Sequence, residues 1–170
     1  MSLTLKVNFK KGWPSPSIVE KVANPASGVT TLEAGKIGHL NSTGQWVLGV
    51  SAVNQPAYVF RNDQGDPDTQ TNNSGSDGLA VQGAYGGVQG ISLDNAIEFE
   101  TIQYAGTPAL GDQLYADTDG LLKVAVNAAG SLVAASKAIV AIVTRGVHHY
   151  QSSNYIQVVP DKSKRLSPAS

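Results

Sequence analysis

The chain has 170 residues, with 12 Lys and Arg against 13 Asp and Glu for a formal net charge of -1, and it contains no cysteine. The missing cysteine excludes disulfide frameworks, thiolate metal sites and cysteine nucleophiles, and the near-zero charge supplies no global field to attract nucleic acid or an anionic membrane. Charged residues make up only 15%, below the roughly 25% of an average soluble domain, which suits a chain that buries much of its surface against partners.

A chain of this length buries roughly 70% of the surface its unfolded form exposes, so one medium domain can fold without a covalent staple. The opening residues Met1 to Lys6 lack the apolar core of a signal peptide. No apolar run approaches the roughly 18 residues needed to span a bilayer. The expectation is a soluble protein made in a cytoplasm. The sequons Asn41-Ser42-Thr43 and Asn72-Asn73-Ser74 then read as ordinary turns.

In chain order, Leu3, Leu5, Val7 and Phe9 alternate with Ser2, Thr4, Lys6, Asn8 and Lys10, the period of a strand with one wet face. Trp13-Pro14-Ser15-Pro16 breaks that pattern and favours an extended segment, so residues 1–16 read as an N-terminal arm. Strands are expected over Ile37 to Leu40, Gln45 to Val53, Ala57 to Arg61, Glu98 to Tyr104, Gln113 to Ala116, Leu121 to Val126, Ala138 to Arg145 and Tyr155 to Val159. Ser42-Thr43-Gly44 and Asp117-Thr118-Asp119-Gly120 supply turn chemistry between neighbouring strands. Helix evidence is thin, with only Ala128 to Lys137 able to hold a turn or two. Residues 62–78, almost wholly polar, read as a long exposed loop, and residues 161–170 as a flexible tail. The body, residues 17–160, reads as a single all-β domain, a sandwich or a small barrel.

Two segments echo each other. A shift of 76 residues lays Thr31 on Thr107, Gly35 on Gly111, Asn41 on Asp117, Gly44 on Gly120 and Val50 on Val126. Either any two hairpins look this alike, or the sheet is built from two similar units.

Few residues carry a chemical signature. His39, His148 and His149 belong to no nucleophilic or zinc-binding motif, and the last two, being adjacent, face opposite sides of a strand. Asp63, Asp66 and Asp68 lie close together, but Gly65 and Pro67 break any calcium-loop spacing. Gly83 to Gly90 is glycine-dense, yet it matches no phosphate-binding loop and reads as a loop or bulge. Glu98 and Glu100 can share one strand face like a glycosidase pair, or form the wet face of an edge strand. Trp13 and Trp46 can serve as a sugar platform, or as core and interface anchors. No catalytic, cofactor or metal residue is assigned.

The segment Leu32-Glu33-Ala34-Gly35-Lys36-Ile37-Gly38-His39-Leu40, with Gly44 and Val47-Leu48-Gly49-Val50, resembles the hairpin of tailed-bacteriophage capsid decoration, or cement, proteins. So does Tyr104-Ala105-Gly106-Thr107-Pro108-Ala109-Leu110-Gly111-Asp112-Gln113-Leu114-Tyr115, followed by Asp119-Gly120-Leu121-Leu122. The resemblance implies a β-tulip-type domain and a virion protein on the capsid surface. It implies the major capsid protein as partner, a homo-oligomer (a trimer favoured), and bracing of the shell without enzymatic activity. It makes the arm the capsid contact, through Leu3, Leu5, Val7, Phe9, Lys10, Lys11 and Trp13. The alternatives are another virion component, such as a tail or baseplate protein, and a carbohydrate-binding module. No cofactor, nucleic acid or membrane is expected.

Overall fold

The computed structural model describes residues 7–9, 20–29, 31–60, 79–81, 88–95, 98–150, 153–161, 163 and 165–169. Among them the strands are β1 (Val7–Phe9), β2 (Glu20–Ala23), β3 (Thr31–Glu33), β4 (Ile37–Leu40), β5 (Trp46–Leu48), β6 (Tyr58–Phe60) and β7 (Leu79–Val81). β8 (Val88–Ser92), β9 (Phe99–Thr101), β10 (Gln113–Ala116), β11 (Leu122–Val126), β12 (Ile139–Tyr150) and β13 (Ser153–Pro160) follow. A 3-10 turn, Leu93–Asn95, is the only helical element among the described residues. The all-β expectation therefore holds, and the alanine-rich stretch 128–137 forms turns. The expected polar loop, residues 62–78, lies outside the described residues.

Two antiparallel sheets carry the fold. One runs β1-β9-β13-β12-β10-β11, the other β2-β8-β6-β4-β5, and β3 pairs separately with β7. With β1 set aside, the two sheets have the same order, strand for strand, in two successive stretches of chain. β2, β8, β6, β4 and β5 correspond to β9, β13, β12, β10 and β11.

The hydrogen bonds repeat as well. Gly35 N–H donates to Phe60 O (2.8 Å), and Phe60 N–H to Lys36 O (3.0 Å); Gly111 and Val143 repeat this with Asp112 at 2.9 Å each. Trp46 N–H reaches Asn24 O while Ala26 N–H reaches Trp46 O; Leu122 repeats both with Gln103 and Ala105. Gly35 and Gly111 share φ values of 85° and 89°, and Gly44 and Gly120 share 76° and 78°. The sequence echo is thus a structural duplication of a five-stranded unit.

Local chemistry explains the two equivalent hairpins. In β4–β5, Asn41 Oδ1 accepts from Thr43 N–H (3.0 Å) and Gln45 N–H (2.9 Å), closing the turn. In β10–β11, Asp117 Oδ1 accepts from Thr118 N–H and Asp119 Oδ1 from Leu121 N–H, each at 2.9 Å. β5 stops at Leu48, short of the expected Val53, because Gly49 turns the chain at φ 81°. β12 and β13 run past their counterparts, as far as the rung Tyr150–Ser153.

The main core lies between the sheets. Ile37, Val59 and Ile91 of one meet Val7, Phe99, Leu114, Leu122, Val143, Ile156 and Val158 of the other in one buried cluster. On the far face of the five-stranded sheet, Trp46, Tyr58, Phe60 and Val88 form a second cluster with Leu32 of β3. β6 is therefore buried on both faces: Val59 points into the main core, Tyr58 and Phe60 into the aromatic one, following the period of two. Fully burying side chains of this kind contributes roughly 1.5–3 kcal/mol each.

Two expectations need correcting here. The glycine run was expected to be a loop or bulge, and its end, from Val88 on, belongs to β8. A Cβ on Gly90 would stand 2.7 Å from Trp46 Cη2, so glycine is what lets the indole lie on the strand. The tail was expected to be flexible, yet its described part is docked. Leu166 bridges Ala138, Ile139 N–H donates to Arg165 O (2.9 Å), and Ser167 is 3% exposed. The Ser167 hydroxyl accepts from Lys137 N–H (2.8 Å) and donates to Ala134 O (2.6 Å).

Candidate binding surfaces

The two units meet where the tip of the second hairpin sits on the base of the first. Ile37 N–H donates to Gly120 O (2.9 Å), and Val50 N–H to Ala116 O (3.1 Å). A Cβ on Gly49 would overlap the Asp117 carbonyl, so a side chain there would push the tip off its seat. In the second unit the matching residue is Ala125, covered by its own chain: Val133 and Ala134 N–H both donate to Ala125 O. The seat therefore exists once among the described residues.

Beside this seam lies an open cleft of about 290 Å³, whose lining includes His39, Ser51, Tyr115, Thr118, Ser136 and Lys137. His39 Nδ1 is 2.7 Å from Gly49 O, which requires a proton on Nδ1 and fixes the ring against the seam. Lys137 Nζ stands 5.1 Å from the centroid of the Tyr115 ring, a cation–π geometry. Burial, reinforced by the Asp117 charge, raises the Tyr115 pKa against the opposing pull of Lys123, so the phenol remains a donor at neutral pH. Asp117 also lines the cleft, but its carboxylate is committed. Lys123 Nζ lies 2.7 Å from Oδ2 and 3.1 Å from Asp119 Oδ2. The Lys123 hydrogen bond, with help from Thr118 N–H, holds Asp117 below the usual carboxylate range, and the two aspartates raise Lys123 in return.

The candidate arm contacts divide. Val7 is 2% exposed, inside the main core, and β1 pairs with β9 in the register Val7–Thr101 and Phe9–Phe99. Val7 therefore serves this chain's own sheet and is withdrawn from the contact set. Leu3, Leu5, Lys10, Lys11 and Trp13 lie outside the described residues, and only the backbone placement of Phe9 is described.

Trp46 offers no sugar platform. It is fully buried, donates Nε1–H to Val88 O (2.8 Å), and meets Tyr58 and Phe60 edge-on at 5.1 and 5.3 Å. Trp13, the other half of that reading, lies outside the described residues. Glu98 and Glu100 do share a strand face, where side chains of β12 and β13 engage both carboxylates. Glu98 Oε1 accepts from Thr144 Oγ1 (2.8 Å) and Gln157 Nε2 (2.6 Å). Glu100, 3% exposed, has its Oε1 3.1 Å from His148 Nε2. His148 and His149 diverge as expected, His148 toward Glu100 and His149 outward beside Asn154. Asp63, Asp66 and Asp68 lie outside the described residues; among the described ones no three His, Cys, Asp or Glu side chains gather into a metal site.

The cleft was not singled out from sequence. Its walls come from residues 39–51 and 115–138, brought together by the seam between units, and no local motif announces it. Asp112 is a further structural residue. It is 5% exposed, and its carboxylate accepts Ala109 N–H and Ala128 N–H, each at 2.8 Å, tying the start of the second hairpin to the loop after it. Large apolar side chains are exposed at Leu110, Val133, Tyr150 and Leu166. No described helix is long and apolar enough to cross a membrane.

Comparison with family models, curated proteins and solved structures finds no match to this chain.

Proposed function

We propose that this chain is a structural virion protein that binds the outer surface of an assembled tailed-phage capsid and stabilises it without catalysis. The observation that carries this reading is the pair of equivalent hairpins. The segments that resemble decoration proteins are β4–β5 and β10–β11 with their flanks, and they occupy the same place in two like sheets. A rigid duplicated β body, with apolar side chains exposed at Leu110, Val133, Tyr150 and Leu166, suits a protein whose work is contact. The partner is the major capsid protein, the assembly a homotrimer, and the site of action the virion surface after synthesis in the host cytoplasm. The body is a β-sandwich or a β-tulip-type barrel.

The contact set is sharpened by the burial of Val7. Removing residues 1–13 whole would delete β1 and damage the core, so the arm is tested in pieces. Full-length protein mixed with purified DNA-free capsids is expected to co-sediment saturably at about 10 μM or below. A chain lacking residues 1–6, or carrying Lys10→Glu, Lys11→Glu and Trp13→Ala, is expected to bind about tenfold more weakly with an unchanged fold. No co-sedimentation of the full chain would overturn the reading. Binding to isolated tails in place of heads would transfer the protein to the tail.

A further inference from the structure

The cleft at the seam has three features that its place in the fold does not require. First, its uncommitted charge is positive. Asp117, the carboxylate in its wall, is held by Lys123 on Oδ2 and by Thr118 N–H on Oδ1. Lys137 has the Tyr115 ring beneath it; its charge reaches Asp117 only at longer range, and no carboxylate of a described residue lies within ion-pair distance of it. Second, Ser136 has φ 53°, the only non-glycine residue with positive φ among those described. That conformation is strained for a residue that carries a side chain and persists only where the surroundings enforce it. Third, the surroundings do enforce it: Ser136 N–H donates to Pro168 O (3.1 Å), and Lys137 N–H to the Ser167 hydroxyl (2.8 Å). The docked tail thus clamps a strained turn at the point where Lys137 stands beside the cleft.

We propose that this cleft binds a carboxylate side chain of a protein partner, with Lys137 as the counter-ion and the Thr118 and Tyr115 hydroxyls as surrounding donors. A cleft of about 290 Å³ accommodates one glutamyl side chain. Val47, Val50 and Ala138 in its lining suit the methylene stem. An ammonium already placed over an aromatic face loses little conformational freedom on pairing with the ligand. The inference rests on the cleft alone and stands apart from the capsid reading.

The test uses the full-length ¹⁵N-labelled chain titrated with N-acetyl-Gly-Glu-Gly-amide, its Gln counterpart, propionate and inorganic phosphate. The Glu peptide is expected to shift the amide signals of Thr118, Ser136 and Lys137 saturably, and the Gln peptide to bind at least about tenfold more weakly. Lys137→Met is expected to weaken the Glu peptide about tenfold or more while the spectrum stays dispersed. Lys137→Arg is expected to retain binding within about threefold. Equal binding of the Glu and Gln peptides, or indifference to Lys137→Met, would overturn the proposal. Propionate or phosphate binding as tightly as the Glu peptide would assign the cleft to a free small anion and overturn the protein partner.

Discussion

The seating of the second hairpin on the first unit can be measured with two glycine substitutions of similar backbone geometry. Gly49 and Gly44 have φ 81° and 76°, so Gly→Ala costs the same left-handed strain at both, roughly 1–2 kcal/mol. They differ in what the new methyl meets. At Gly44 there is open space; at Gly49 the methyl overlaps the Asp117 backbone. A backbone carbonyl held by a hairpin cannot rotate away as a side-chain end can. Overpacking of this kind costs typically about 1–3 kcal/mol. Gly49→Ala is therefore expected to destabilise the chain by about 2 kcal/mol more than Gly44→Ala. For a chain of this size the gap corresponds to about 4–8 °C in Tm. Urea unfolding followed by far-UV circular dichroism, with Tm from calorimetry, reads both quantities. Equal losses at the two positions, within about 0.5 kcal/mol, would refute the reasoning and with it the contact between units.

Three further outcomes follow from particular contacts. Asp112→Ala leaves the Ala109 and Ala128 N–H groups without their carboxylate; a loss of about 2–4 kcal/mol in urea unfolding is expected, and a loss below about 0.5 kcal/mol would contradict the assigned role. Asp117 titrates below its ordinary value in the folded chain because of Lys123 and Thr118 N–H. Its stabilising contribution is therefore present above the unfolded value near about 4 and lost as pH falls through the depressed folded value. The side chain is 29% exposed, so Asp117→Asn should cost only about 0.2–1 kcal/mol at pH 7, and unfolding at pH 2 should show the variant and parent converging. Ser167→Ala removes the hydroxyl that fastens the tail to Ala134 and Lys137. About 1–2 kcal/mol, with faster hydrogen exchange at the Lys137 amide, is the expected result, and unchanged exchange there would show the clasp to be immaterial.

The parts of the fold legible in the sequence are those with local chemistry. β4 and β10 fall on the expected residues because alternating side chains lead directly into Asn41 and Asp117 turns closed by Gly44 and Gly120. The echo between these hairpins was readable, but not its extent. β6 matches β12, and β8 matches β13, across connections of different length, so one fixed shift stops aligning them. β8 was missed because Gly90 reads as punctuation; its reason is the Trp46 indole on the strand, a contact between residues far apart in the chain. The docked tail was missed because Ser, Pro and Lys read as solvated, whereas its attachment runs largely through backbone groups and one serine hydroxyl. The cleft needs both hairpins and the tail in place before it exists, so no stretch of sequence carries it.

The capsid reading is tested most directly by reconstructing, by electron cryo-microscopy, purified tailed-phage capsids with and without added full-length protein. The account predicts density for a duplicated β body on the outer surface at or around threefold positions, present only in the decorated shells. Shells that remain bare at saturating protein would contradict it.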